Sequence, residues 1–160
     1  MKTAAPFFSV PTMIIGSDVS HPTPGSPQAS MAALTMSMDQ EAVRYAAAVQ
    51  TNGIRVEMIT RANIISMMMP LFHEWIKKVG GGRGPSHIYY FRDGVSEGQY
   101  MHVLDEEVKD MKSAIREKYG PVNVSSIIYL KFYPTKHLSD KIYSHRLFKA
   151  PSYSFPSQGQ

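Results

Sequence analysis

The chain has 160 residues, 43% of them hydrophobic, and a formal net charge of +4. That length suits one domain with a sizeable core, and that apolar content excludes a disordered chain. It has no cysteine, which excludes a disulfide framework and a thiolate metal site, and no apolar run approaches the roughly 20 residues of a membrane helix.

Residues 1–12 read as an N-terminal extension without the long apolar core of a secretory signal. Residues 13–20 are predicted as a strand. Residues 21–28, rich in proline, read as a loop. Residues 29–38 suit a second strand paired back on the first. Residues 44–50 suit a third, although their alanines also permit a helix. Residues 55–75 read as a helix, because Ile59, Ala62, Ile65 or Ser66, Met69 and Phe72 or His73 recur near a 3.6 period. Pro70 inside that pattern predicts a kink or a break. The Met67-Met68-Met69 run reads as adaptable core packing. The glycine-rich stretch 80–85 follows a helix and lacks a Lys-Ser ending, so it is not a phosphate loop. Residues 87–92 form a predicted strand. Residues 96–119 form a long amphipathic helix, capped by Ser96 and stopped by Gly120-Pro121. Residues 122–132, rich in β-branched and aromatic side chains, read as the last strand. Residues 134–160 read as an irregular basic tail, with Lys136, Lys141, Arg146 and Lys149 against Asp140. That tail either favours polyanions or is simply solvated.

The order of three strands, helix, strand, helix, strand predicts an α/β mixed sheet with helices on its faces. Asp93 follows a strand immediately, at the edge where open α/β sheets place their chemistry. Asp18 stands inside or at the end of another apolar strand. A buried carboxylate is costly unless paired, hydrogen-bonded or metal-bound, so two in similar contexts suggest a shared cation site. The structural alternative is that each caps a loop or a helix N-terminus.

Asp18-Val19-Ser20-His21-Pro22 resembles the "DVTHP" element of Argonaute/Piwi proteins. Arg92-Asp93-Gly94-Val95-Ser96-Glu97-Gly98-Gln99-Tyr100 resembles their "RDGVSEGQF" element. The resemblance implies a partial Piwi domain over 13–133. Its fold would be a ribonuclease-H-like mixed sheet with helices on both faces, incomplete at the C-terminus, with the Asp18 and Asp93 strands as neighbours. It also implies guide-directed RNA binding and metal-dependent endoribonuclease (slicer) chemistry in RNA silencing. Implied partners are guide and target RNA and other silencing proteins, in cytoplasm or nucleus, with no membrane. Water cleaves a phosphodiester readily when two hard divalent ions about 4 Å apart neutralise charge and activate the nucleophile. Such ions want converging carboxylate oxygens. Asp18 and Asp93 are the implied catalytic and metal-ligating pair for weakly bound Mg²⁺ or Mn²⁺.

Glu57 is the third implied catalytic residue. Arg55-Val56-Glu57-Met58-Ile59 is similar to the family's "RQEII" stretch, whose glutamate enters the site on a mobile loop. Here Val56 replaces the glutamine and Met58 an isoleucine. The plainer reading is a first-turn helix glutamate favoured by the macrodipole. The family's fourth ligand, a histidine or aspartate, lies well over a hundred residues beyond the RDG aspartate, and the sequence given ends at Gln160. Lys136-His137 and His145-Arg146 lie where the family pattern is lost. The expectation is therefore a truncated site. Two readings stay open: an enzyme with an incomplete ligand set, and a non-catalytic RNA-binding or protein-interaction module that keeps the fold. A third, an unrelated metal-dependent nuclease of the same superfold, sits poorly with the length of the 92–100 match. His21 could bond a carboxylate or phosphate near the site, or merely pack on Pro22. Gln99 and Tyr100 suit packing or positioning.

Overall fold

A computed structural model describes residues 10–95, 98–120 and 126–131. The elements are β1 (Thr12–Ser20), β2 (Met31–Ser37), β3 (Tyr45–Thr51), α1 (Arg61–Lys78), β4 (His87–Arg92), α2 (Tyr100–Tyr119) and β5 (Ser126–Lys131). They build a five-stranded sheet in the order β3-β2-β1-β4-β5. β1, β2 and β3 form an antiparallel meander, and β4 joins β1 in parallel, followed by β5. This is the expected ribonuclease-H-like order. The predicted tail and the Ser96 cap lie outside the described residues.

Strand alternation assigns the two faces. Met13, Ile15 and Val19 of β1, Ala32, Leu34 and Met36 of β2, and Ile88 and Tyr90 of β4 point into one core. α1 supplies Ile64, Met67, Met68, Met69, Phe72 and Trp75 to the same core, and α2 supplies Val108, Met111, Ala114 and Ile115. The helices also pack on each other. Both described helices thus cover one face, where the sequence predicted helices on both. The other face carries Ile14 and Gly16 of β1, Ala33 and Thr35 of β2 and Phe91 of β4, at most half-buried.

The helices depart from the sequence reading. α1 begins at Arg61 rather than at residue 55. Gly53 and Arg55 hold φ of +81° and +54°, which a right-handed helix cannot contain. α1 also runs unbroken through Pro70. Pro70 is exposed, so the carbonyl that loses its helical donor can be hydrated. α2 begins at Tyr100 after Gln99, which makes no side-chain capping bond.

Candidate functional site

The site grows from the parallel pairing of β1 with β4. Ser17 stands opposite Arg92 in the ladder, and the Asp93 N–H donates to the Ser17 carbonyl at 3.1 Å. Ser17 and Arg92 face the core and are buried. The next residue in each segment, Asp18 in β1 and Asp93 just after β4, therefore turns to the face away from the described helices. Gly94 turns the chain at φ +80°, where a Cβ would stand 2.8 Å from Asp18 Oδ1. Only a glycine lets this backbone approach the carboxylate so closely. The Val19 N–H donates to Asp18 Oδ1 at 2.8 Å, and the Gly94 N–H donates to Asp93 Oδ1 at 2.8 Å.

Both carboxylates are exposed, which corrects the expectation of buried aspartates. The pairing of β1 with β4 brings the two segments side by side, with no need for a shared buried counter-charge.

Glu57 sits in the loop between β3 and α1, not in the first turn of the helix. Its Oε2 accepts from His21 Nε2 at 2.7 Å, and its Oε1 accepts from Arg92 Nη2 at 3.3 Å. Because a carboxylate only accepts, His21 Nε2 carries the hydrogen. The His21 Nδ1 lies 2.7 Å from the Ser30 hydroxyl. His21 is thus a bridge in the site and not a loop residue packed on Pro22 alone.

Behind this front lies a buried network that the sequence reading missed. The Arg92 Nε donates to Glu107 Oε2 at 3.2 Å. The Nη1 donates to the Asp93 carbonyl and the Nη2 to the Glu57 carbonyl at 2.7 Å. The Tyr90 hydroxyl donates to Glu107 Oε2 at 2.6 Å, so its 2.6 Å contact with Ser17 Oγ has the serine as donor. Burial and the Glu107 charge push the Tyr90 phenol well above its ordinary value of 10.0. A signal was present in the sequence. Glu107 lies on the same helical stripe as Val103 and Met111, and Arg92 alternates in step with Ile88 and Tyr90. Two charges on apolar faces demand each other.

The donor chemistry of Asp18 and Asp93 fits a hard divalent ion. Each spends one oxygen on a neighbouring N–H, and among the described residues the second oxygen makes no hydrogen bond. Glu57 is already held by Arg92 and His21. Among the described residues no three acidic, histidine or cysteine side chains are gathered to hold a metal. Gln99 stands just before α2, and Lys136-His137 and His145-Arg146 lie outside the described residues. No described helix is long and apolar enough to cross a membrane.

The pattern of the Piwi domain family matches residues 1–150. The chain belongs to the Piwi domain family of Argonaute proteins. Protein argonaute 2 of Oryza sativa subsp. japonica is 36% identical over 127 residues, which is 79% of this chain and 12% of the rice protein. The chain therefore spans about an eighth of that relative. Kluyveromyces polysporus Argonaute, solved with a guide RNA, matches at a TM-score of 0.64 and 30% identity, over 76% of this chain and 14% of that one. The MID-PIWI domains of N. crassa QDE-2 match at 0.63 and 26% identity, over 81% of this chain and 37% of theirs.

Proposed function

We propose that this Piwi domain binds RNA, as guide or guide–target duplex, across the strand ends that carry Asp18 and Asp93. The carrying observation is the placement of both aspartates on one face, at the ends of parallel neighbours, inside the two Piwi motifs. Asp18 and Asp93 would hold Mg²⁺ or Mn²⁺, and the ion would neutralise the phosphate and lower the pKa of attacking water. Asp93 is fixed by its strand bond to Ser17 and by the Arg92 contact to its carbonyl. Asp18 is fixed by Val19 and by the Gly94 turn. Glu57 is the third catalytic carboxylate, oriented by Arg92 and His21. RNA contacts would be made through phosphates and backbone shape. The guide RNA bound by the K. polysporus relative supports this partner class. Silencing proteins of the cytoplasm or nucleus are further partners in this reading.

A second reading is a binding module without turnover. The engagement of both Glu57 oxygens by protein groups favours it. Labelled RNA paired to a guide, with and without Mn²⁺, decides between them. The enzymatic reading expects salt-sensitive binding and Mn²⁺-dependent cleavage abolished by Asp93→Ala. Binding indifferent to Mn²⁺ and to that substitution favours the module. Absence of RNA binding overturns both.

A further inference from the structure

Asn52 is only 1% exposed, yet it directly follows an edge strand and does not belong to the aspartate site. Its side chain is fully used. The Nδ2 donates to the carbonyls of Val56 and Met58, both at 2.9 Å. The Oδ1 accepts from the Thr60 N–H at 3.3 Å and from Asn63 Nδ2 at 2.9 Å. The orientation of the amide is fixed by these partners, since a flipped group would set oxygen against two carbonyls. Its own N–H donates to the Ser30 carbonyl at 2.7 Å, tying the loop to the residue that touches His21.

The loop it holds carries Glu57. From the far side the Arg92 guanidinium takes the Glu57 carbonyl, and Glu107 takes the Ile59 N–H at 2.8 Å. Each residue from Val56 to Thr60 therefore has a backbone group bonded to a buried side chain. No ladder or helix turn provides these bonds. The loop must leave the helical path, because Gly53 and Arg55 have positive φ. A segment of this kind keeps one shape only if its polar groups are satisfied from outside.

We propose that Asn52 is a positioning residue: it clasps the 53–60 loop from the β3 side against Arg92 and Glu107, and so fixes where the Glu57 carboxylate stands. That this position matters for ion binding rests on the function proposed above. The clasp itself does not.

Asn52→Asp tests it, because that variant keeps the acceptor half and removes both donor bonds to the loop. Amide hydrogen exchange on the full chain is the first readout. Loss of two buried hydrogen bonds of ordinary strength loosens the loop and predicts that exchange at the bonded Ile59 and Thr60 N–H groups rises by about tenfold or more, with α1 and the sheet unchanged. Unchanged loop exchange overturns the clasp. An equal rise through α1 and the sheet also overturns it, because Asn52 would then be a general stabiliser. Should that variant fail to fold, Asn63→Ala removes one acceptor contact and the bond to the Thr51 carbonyl. It should give a smaller rise confined to the same loop, and no rise counts against the clasp. Mn²⁺ titration is the second readout. Asn52→Asp should weaken Mn²⁺ roughly tenfold, Glu57→Gln at least as much, and the double variant no more than Glu57→Gln alone. Additive losses overturn the idea that Asn52 acts through Glu57. Unchanged Mn²⁺ affinity in Glu57→Gln shows that Glu57 does not bear on the ion held by Asp18 and Asp93, and the exchange result still decides the clasp.

Discussion

Arg92 and Glu107 form an ion pair at 3.2 Å in which neither side chain reaches solvent. The pair lies directly behind the two aspartates and links β4 to α2. Its bonds to the Glu57 carbonyl, the Ile59 N–H and the Tyr90 hydroxyl satisfy much of the hydrogen-bonding capacity of both groups. Such satisfaction is what makes a buried pair tolerable.

Removing one partner should be far worse than removing both. Glu107→Ala leaves the buried guanidinium only the partly exposed Glu57 carboxylate, 3.3 Å away, as counter-charge, and should cost about 3 kcal/mol. Arg92→Met combined with Glu107→Leu should recover part of that loss, since a buried pair is often replaceable by apolar side chains of similar volume, while the Ile59 N–H and the Glu57 carbonyl lose their partners. Urea unfolding of the three proteins measures this. A loss well under 1 kcal/mol in Glu107→Ala would show that water reaches the guanidinium.

The sheet order was legible because each strand has its own signal. The apolar run before Asp93, the meander lengths and the Gly120 stop all mark local structure. The start of α1 was not legible. Ile59 fits the helical period, yet it is buried from a loop whose shape depends on Asn52, Arg92 and Glu107. Those partners are distant in sequence, and tertiary hydrogen bonds overrode the local period. The aspartate pair was legible as motifs but for the wrong physical reason. Burial was inferred from the apolar run, whereas strand alternation turns both side chains outward. The sidedness of the helices was equally hidden, because a strand pattern does not say which face a later helix will cover.

Tyr90 should impose a pH dependence. Burial first, and then the Glu107 charge, raise its phenol well above 10.0. In the unfolded chain it ionises near that ordinary value, while in the folded protein it stays neutral. The unfolded state therefore binds fewer protons, and stability falls as pH rises above 10.0. Tyr90→Phe removes this contribution, so its stability should decline less steeply in that range. A shallower residual slope remains from Tyr45 and Tyr119, whose phenols are also raised by partial burial. At neutral pH the same variant loses the hydrogen bond to Glu107, about 1.5–3 kcal/mol for a charged acceptor. Denaturant midpoints for both proteins on either side of that pH test the two effects. Parallel slopes would refute the ionisation argument.

Pro70 should be a removable burden. It lies inside α1, exposed, with no N–H to return to the preceding turn. Proline in a helix interior is about 3 kcal/mol less favourable than alanine. Pro70→Ala should therefore raise stability, by less than that figure to the extent that solvent already hydrates the freed carbonyl. The thermal midpoint should move up with the face that carries Asp18 and Asp93 unaltered. A lower midpoint would mean that the ring packs usefully where it stands.

Gly94 is the sharpest test of the aspartate face. A Cβ there would come within 2.8 Å of Asp18 Oδ1, and the backbone sits at φ +80°. Gly94→Ala should thus carry two separable penalties. The backbone penalty is about 1–2 kcal/mol for a non-glycine residue in a left-handed conformation, and it appears as lowered stability. The steric penalty falls on the Asp18 carboxylate, which must swing away from Asp93, and it appears as weakened Mn²⁺ binding. Asp18→Asn separates the two. It should lose Mn²⁺ affinity with little change in stability, because the side chain is exposed and keeps its oxygen for the Val19 N–H. If Asp18 and Asp93 share an ion, Gly94→Ala added to Asp18→Asn should weaken Mn²⁺ no further while still lowering stability. A second, additive loss of Mn²⁺ affinity in the double variant would show that Gly94 acts through Asp93 or the loop after it, and the shared site would have to be redrawn without Asp18.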